Sequence, residues 1–107
     1  MDRAQFYKEV YSIIKEIPYG NVSTYGKIAQ LIGKPQCSRM VGQALSHAPE
    51  EQHLPCHRVV NSQGRLVPGW QKQKELLEKE GITFKPNGCV NMPKHLWDTT
   101  GSLTSTI

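Results

Sequence analysis

The chain has 107 residues, 37% hydrophobic and 21% charged, with a formal net charge of +4. That length supports one small domain with a single core, near the lower end of what folds without staples. No apolar run reaches bilayer length and no signal-peptide layout is present, so a soluble intracellular chain that makes no membrane contact is expected.

Cys37, Cys56 and Cys89 are an odd set with no C-x-x-C spacing, which argues against a disulfide framework and a four-cysteine zinc site and for free thiols. The positive charge permits phosphate binding without demanding it. Phe6, Val10, Ile13, Ile14 and Ile17 recur at helical spacing and predict an amphipathic helix over 4–16, with Tyr7 and Tyr11 widening its apolar stripe. Pro18 ends it, and Tyr19-Gly20-Asn21 reads as a turn. Ser23 is the expected N-cap of a second helix that runs to about Ile32, with Gly33 as the residue that closes it. Lys34-Pro35 prevents continuation, because the residue before proline is pushed out of the α region. A third helix is expected over 36–46, turning Val41, Ala44 and Leu45 inward.

Two short helices joined by Gly-Lys-Pro make a helix-turn-helix pattern, which also occurs as a plain helical hairpin in domains that never meet DNA. His47 to Leu54 is a polar connection. Val59-Val60 and Leu66-Val67 read as two strands around a turn at Asn61–Gly64. Residues 70–80 predict a charged helix that buries Trp70, Leu76 and Leu77 and stops at Gly81. Residues 82–84 and 89–92 flank Asn87-Gly88, a hairpin signal. Leu96 and Trp97 are expected to fold back on the core. The domain is thus placed at 1–97, with a flexible Thr/Ser-rich tail at 98–107.

Two places carry possible chemistry. Arg39 lies in the first turn of the third helix, where the macrodipole disfavours a cation. It is either a solvated arginine or, with the free amides there, part of an anion or base-edge site. Gly42 costs helix propensity, which close approach of a neighbouring helix or of DNA would justify. Cys56 sits between Pro55 and His57. It is either a buried structural thiol or a nucleophile activated by His57, Arg58 or a helix N-terminus, with one water able to relay a proton to the imidazole. The spacing of His53, Cys56 and His57 fits no common zinc pattern, and no metal or other cofactor is expected.

Pro55-Cys56-His57-Arg58-Val59, preceded by Ser38-Arg39-Met40-Val41-Gly42-Gln43-Ala44 and by Val22-Ser23-Thr24-Tyr25-Gly26, resembles the active, C-terminal domain of the O6-alkylguanine-DNA alkyltransferases, from about Phe6 to Gly81. The resemblance implies a mostly α fold with short β-hairpins, a winged helix-turn-helix-like domain, acting as a monomer on double-stranded DNA that contains O6-alkylguanine. Cys56 matches the cysteine that accepts the alkyl group once and irreversibly. His57 matches the histidine that deprotonates it through a water, and Glu80 the glutamate that orients that histidine. Tyr25 matches the tyrosine that rotates the nucleotide outward, and Arg39 the arginine that fills the vacated stack. The third helix would enter the minor groove, which assigns Thr24, Tyr25, Ser38, Arg39, Gly42, Ala44 and Arg58 to the DNA surface. Tyr25, Val59 and Trp70 would border the lesion pocket. Extrusion is a physical necessity for such chemistry, since a sulfur cannot reach a base inside the duplex.

Three departures stand out. The chain starts directly at the first helix of the active domain, and the usual Asn-Pro after the recognition helix is Ala48-Pro49. The Gly-rich loop that closes over the extruded guanine is reduced to Leu66-Val67-Pro68-Gly69-Trp70. Together with the Lys94-His95-Leu96-Trp97 ending, these features resemble the alkyltransferase-like proteins, which flip the lesion and flag it for nucleotide excision repair without removing the alkyl group. Those proteins usually have tryptophan or alanine where this chain has Cys56. The expectation is therefore a single-turnover methylated-DNA–protein-cysteine methyltransferase, cytoplasmic (nucleoid-associated) in a bacterium or nuclear in a eukaryote. The alternative is a non-enzymatic lesion reader, with excision-repair proteins as partners. A sequence-specific helix-turn-helix regulator is a third, which would need a dimerisation element that is not evident.

Overall fold

The apolar stripe of the first segment becomes helix α1, Arg3–Glu16, in a computed structural model that describes residues 2–99. Asp2 caps it, its carboxylate accepting from the Ala4 amide, and Phe6, Val10 and Ile14 are buried. Strand β1, Ser23–Thr24, leads into α2, Tyr25–Ile32. The N-cap of α2 is Thr24, not Ser23 as expected: Thr24 Oγ1 accepts from the Lys27 amide at 3.0 Å. Ser23 lies one residue too early, in the strand, and its buried hydroxyl has no partner. Gly33 closes α2 with φ +90°, the left-handed conformation that favours glycine.

The third helix, α3, spans Ser38–Ser46. It starts later than expected because Pro35–Cys37 forms a separate 3-10 turn. Helices α1, α2 and α3 close over Phe6, Val10, Ile14, Ile17, Ile28, Ala29, Val41, Ala44 and Val59; Leu45 is only half-buried. A second, smaller core gathers Val22, Val60, Leu77, Ile82 and Val90. Between the two lies strand β2, Val59–Val60, paired in parallel with β1 so that Ser23 faces Val59 and Thr24 faces Val60. Side chains alternate along a strand, so Val59 enters the first core and Val60 the second.

The expected strand pair of 59–60 with 66–67 does not form. Asn61 Oδ1 instead accepts from the Gln63 and Arg65 amides and winds the chain into a turn. Gly64 completes that turn at φ +86°, where an added Cβ would stand 2.7 Å from the Val90 carbonyl. The charged helix is α4, Lys72–Lys79, shorter than expected, and its buried residues are Gln73 and Leu77. The hairpin signal at Asn87-Gly88 yields a small wing in which Phe84 bridges Val90 and the Lys85 amide donates to the Cys89 carbonyl at 2.8 Å. A one-turn helix α5, Met92–His95, returns the chain to β1, where the Trp97 amide donates to Val22 at 2.7 Å. Trp97 packs on the first core as expected, but Leu96 is 42% exposed. Of the tail expected at 98–107, residues 100–107 lie outside the described residues. The whole is the mostly helical, winged helix-turn-helix-like arrangement expected.

His95 is buried, and its Nε2 accepts from the Thr83 amide at 2.9 Å. Burial, with the Lys94 charge, lowers its pKa below the ordinary 6.5. Because the folded pKa is depressed, the stabilisation is complete above the unfolded value and is lost as pH falls through it toward the folded one. Thermal unfolding midpoints should therefore drop between about pH 7 and pH 5, and His95→Gln should flatten that slope. Thr24→Ala should cost about 1 kcal/mol in urea melts, whereas Ser23→Ala should be neutral or stabilising.

Candidate functional site

Pro55 interrupts extended structure ahead of Cys56, and Cys56–Arg58 winds into a single 3-10 turn with the Arg58 amide on the Pro55 carbonyl at 3.0 Å. Such a turn spaces successive side chains by about a third of a revolution, so Cys56, His57 and Arg58 diverge. Glu80, the residue that closes α4, collects two of them. Its Oε2 accepts from His57 Nε2 at 2.7 Å and meets Arg58 Nη2 at 2.9 Å. Its Oε1 accepts from the Gly20 amide at 2.9 Å. Burial works to raise the Glu80 carboxyl, but the Arg58, Gly20 and His57 hydrogen bonds and the Arg58 charge outweigh it and leave the pKa lowered.

Arg58 does not reach an outer face. Its Nη1 donates to the Ile17 carbonyl at 2.8 Å and its guanidinium lies 5.6 Å from the centre of the Tyr19 ring. The expectation that it touches DNA is corrected: its Nε, Nη1 and Nη2 are all drawn to Glu80 and Ile17 inside the protein. The pairing expected for Glu80 and His57 is present. Cys56 Sγ, by contrast, has no hydrogen bond to His57 among the described residues, and burial raises its pKa above the ordinary 9.0.

Beside this frame opens a cavity of about 890 Å³. Helices α2 and α3 supply Tyr25, Gly42, Leu45 and Ser46, and the connection after α3 supplies Ala48, Pro49, Glu50, His53 and Leu54. Cys56 and His57 form its inner wall, and Val67, Trp70, Lys72 and Leu76 the side toward α4. Tyr25 and Trp70, two of the residues expected at the lesion pocket, both line this cavity. Trp70 and Leu76 face this space rather than a core, which corrects the expectation that the charged helix buries them. Val59 and Ala44 are fully buried and border neither the cavity nor an outer surface, because strand alternation and the apolar face of α3 turn them into the first core.

On α3, Ser38 and Arg39 are exposed at the helix start, and Arg39 makes no ion pair among the described residues. Thr24 spends its hydroxyl on the α2 cap. A Cβ at Gly42 would meet only Tyr25 Cε1, at 4.0 Å, so no neighbouring helix requires the glycine; its open side faces the cavity. Gln73 has no sequence signal. Fully buried, it accepts from the Val67 amide at 2.7 Å and donates to the His57 and Val59 carbonyls at 3.1 and 3.2 Å, tying both cavity walls to α4. Tyr11 and His47, which grip α3 from behind, were likewise invisible as anything but packing. Among the described residues, no three His, Cys, Asp or Glu side chains converge as a metal site.

Residues 5–82 match the family described as the 6-O-methylguanine DNA methyltransferase, DNA binding domain. The chain belongs to this family. Within it, an alkyltransferase-like protein of Schizosaccharomyces pombe is 43% identical over 102 residues, covering 87% of this chain and 94% of its own. A DNA base-flipping protein of Vibrio parahaemolyticus is 43% identical over 96 residues, 87% and 96% of the two chains. A methylated-DNA–protein-cysteine methyltransferase of Methanosarcina acetivorans is 44% identical over 80 residues, but only 51% of its length is covered. The S. pombe relative, solved in complex with damaged DNA containing O6-carboxymethylguanine, superposes with a TM-score of 0.80 at 41% identity, over 92% of this chain and 99% of that one.

These comparisons overturn the expectation of single-turnover alkyl transfer to Cys56. The family members that match nearly end to end are alkyltransferase-like and base-flipping proteins, whereas the methyltransferase above matches over about half its length.

Because the depressed Glu80 pKa marks interactions made only when folded, that stabilisation is present above the ordinary carboxyl value of 4.5 and lost as pH falls below it. Glu80→Gln should cost about 3 kcal/mol at neutral pH, by stranding Arg58, and should weaken acid destabilisation; urea titrations at several pH values check both.

Proposed function

We propose that this protein is a lesion reader: it binds duplex DNA through α3, extrudes O6-alkylguanine into the cavity and holds it there without chemistry. The observation that carries this reading is the position of the cavity. It opens at the face of α3 that bears Gly42, it is bordered by Tyr25 from α2, and its inner wall is Cys56. Arg39, exposed in the first turn of the same helix, fills the space the base vacates. Tyr25 crowds the target nucleotide and, with Trp70, offers aromatic surface to the extruded ring. Extrusion costs a few kcal/mol, and stacking on aromatic side chains returns about 1–3 kcal/mol per base.

In this role Cys56, His57 and Glu80 are a wall and its frame. Cys56 presents a small neutral thiol to the base, and the frame keeps the Pro55–Arg58 turn in place. A reader that leaves the alkyl group untouched passes the lesion to nucleotide excision repair, the role the resemblance implies.

Incubation with an O6-methylguanine duplex should leave the intact mass unchanged while the complex forms. Cys56→Ala should keep lesion affinity within about twofold, and Arg39→Ala should weaken it about tenfold, the equivalent of about 1.4 kcal/mol. A gain of one methylene on Cys56, or wild-type affinity in Arg39→Ala, contradicts the reading.

A further inference from the structure

Helix α3 carries the groove-facing residues at its start and part of the cavity wall at its end, so its placement sets both. Its last carbonyls have no partner within the helix and must be satisfied from outside. The His47 amide reaches the Ala44 carbonyl at 3.2 Å and the Ala48 amide the Leu45 carbonyl at 3.3 Å, and a group of side chains that the proposed reading does not use adds to them. Tyr11 Oη, from α1, donates to the Ala44 carbonyl at 2.7 Å, a residue 33 positions away in sequence. Ser46 Oγ donates to the Gln43 carbonyl at 2.8 Å. His47 Nδ1 lies 2.8 Å from that same carbonyl, which fixes the proton on Nδ1 because a carbonyl oxygen only accepts. The Tyr7 ring then packs against the His47 ring at 6.2 Å between centres and 30° between planes.

We infer that Tyr11, supported by the Tyr7–His47 pair, is a positioning residue for lesion recognition: it clamps the last turn of α3 to α1 so that the cavity wall and Arg39 act in register. Two facts converge on this. The hydrogen bond joins the helix that supplies the largest share of the first core to the one that meets the proposed ligand. Leu45 and Ser46, which line the cavity, lie between the clamped Ala44 and the clamped His47. A rotation of α3 by a fraction of a turn would withdraw Gly42 from the cavity and swing Arg39 out of line.

The inference rests on the reader function, and the test separates the two. Wild type, Tyr11→Phe, Arg39→Ala and the double variant are titrated with O6-methylguanine duplex and with undamaged duplex, and their unfolding is followed by circular dichroism. Tyr11→Phe keeps the ring and its packing. It should remain folded, bind undamaged duplex as wild type does, and lose about fivefold in lesion affinity. The double variant should bind lesion DNA no more weakly than Arg39→Ala alone, because an unaligned arginine has little left to lose. His47→Ala should lose lesion affinity in the same direction by a smaller factor. Wild-type discrimination in folded Tyr11→Phe, an equal loss on both duplexes, or additive losses in the double variant would each overturn the positioning role. Absence of discrimination in the wild type would instead remove the reader function itself.

Discussion

The Glu80 carboxylate is the point on which the two halves of this protein depend. One half is the helical core of α1, α2 and α3; the other is the small core under β2, α4 and the wing. Glu80 receives His57 and Arg58 from the turn between them and the Gly20 amide from the turn after α1. Arg58 extends the junction to the Ile17 carbonyl, and the Tyr19 hydroxyl donates to the Lys79 carbonyl beside it. A carboxylate with a 6% exposed side chain is costly to bury, and only this many donors offset the lost hydration. The arrangement holds the Cys56 turn rigid without touching its sulfur.

That separation explains how a transferase-like motif serves a binding site. The His–Glu pair of the motif is intact and shares its carboxylate with Arg58, while the Cys56 thiol, its pKa raised by burial, sits in a partly buried wall. The cavity is bounded by side chains from four separate stretches, and a single fully buried amide, Gln73, ties the 57–59 and 67 segments together. What binds is therefore decided by the rigidity of the rim rather than by the reactivity of one atom.

Much of this is legible in the sequence. Helical periodicity located α1 and α2 almost to the residue, Pro18 and Gly33 marked their ends, and Asn87-Gly88 announced the wing. Tyr25 and Trp70, named for the lesion pocket by the resemblance between motifs and not by spacing, line one cavity with Cys56. The failures share a cause. Two-residue strands pairing in parallel, Ser23 with Val59, leave no alternation to detect, so Val59 was read as pocket rather than core. Helical spacing turns Ala44 inward, as the structure shows, and the assignment of Ala44 to DNA rested on the resemblance alone. Arg58 looked like a phosphate ligand until Glu80, 22 residues on, was seen to hold it. Gln73 and the Tyr11–Ala44 bond are long-range polar contacts, and a polar residue in a helix gives no hint of which distant carbonyl it will meet.

The central claim is that a modified purine leaves its stack and enters the cavity. Fluorescence of 2-aminopurine placed next to O6-methylguanine reports that unstacking directly, independent of how tightly the protein binds. The account predicts a rise that saturates at one protein per lesion, and no rise on the same duplex with guanine in place of the lesion. Saturated binding of the lesion duplex with the reporter still quenched would contradict it.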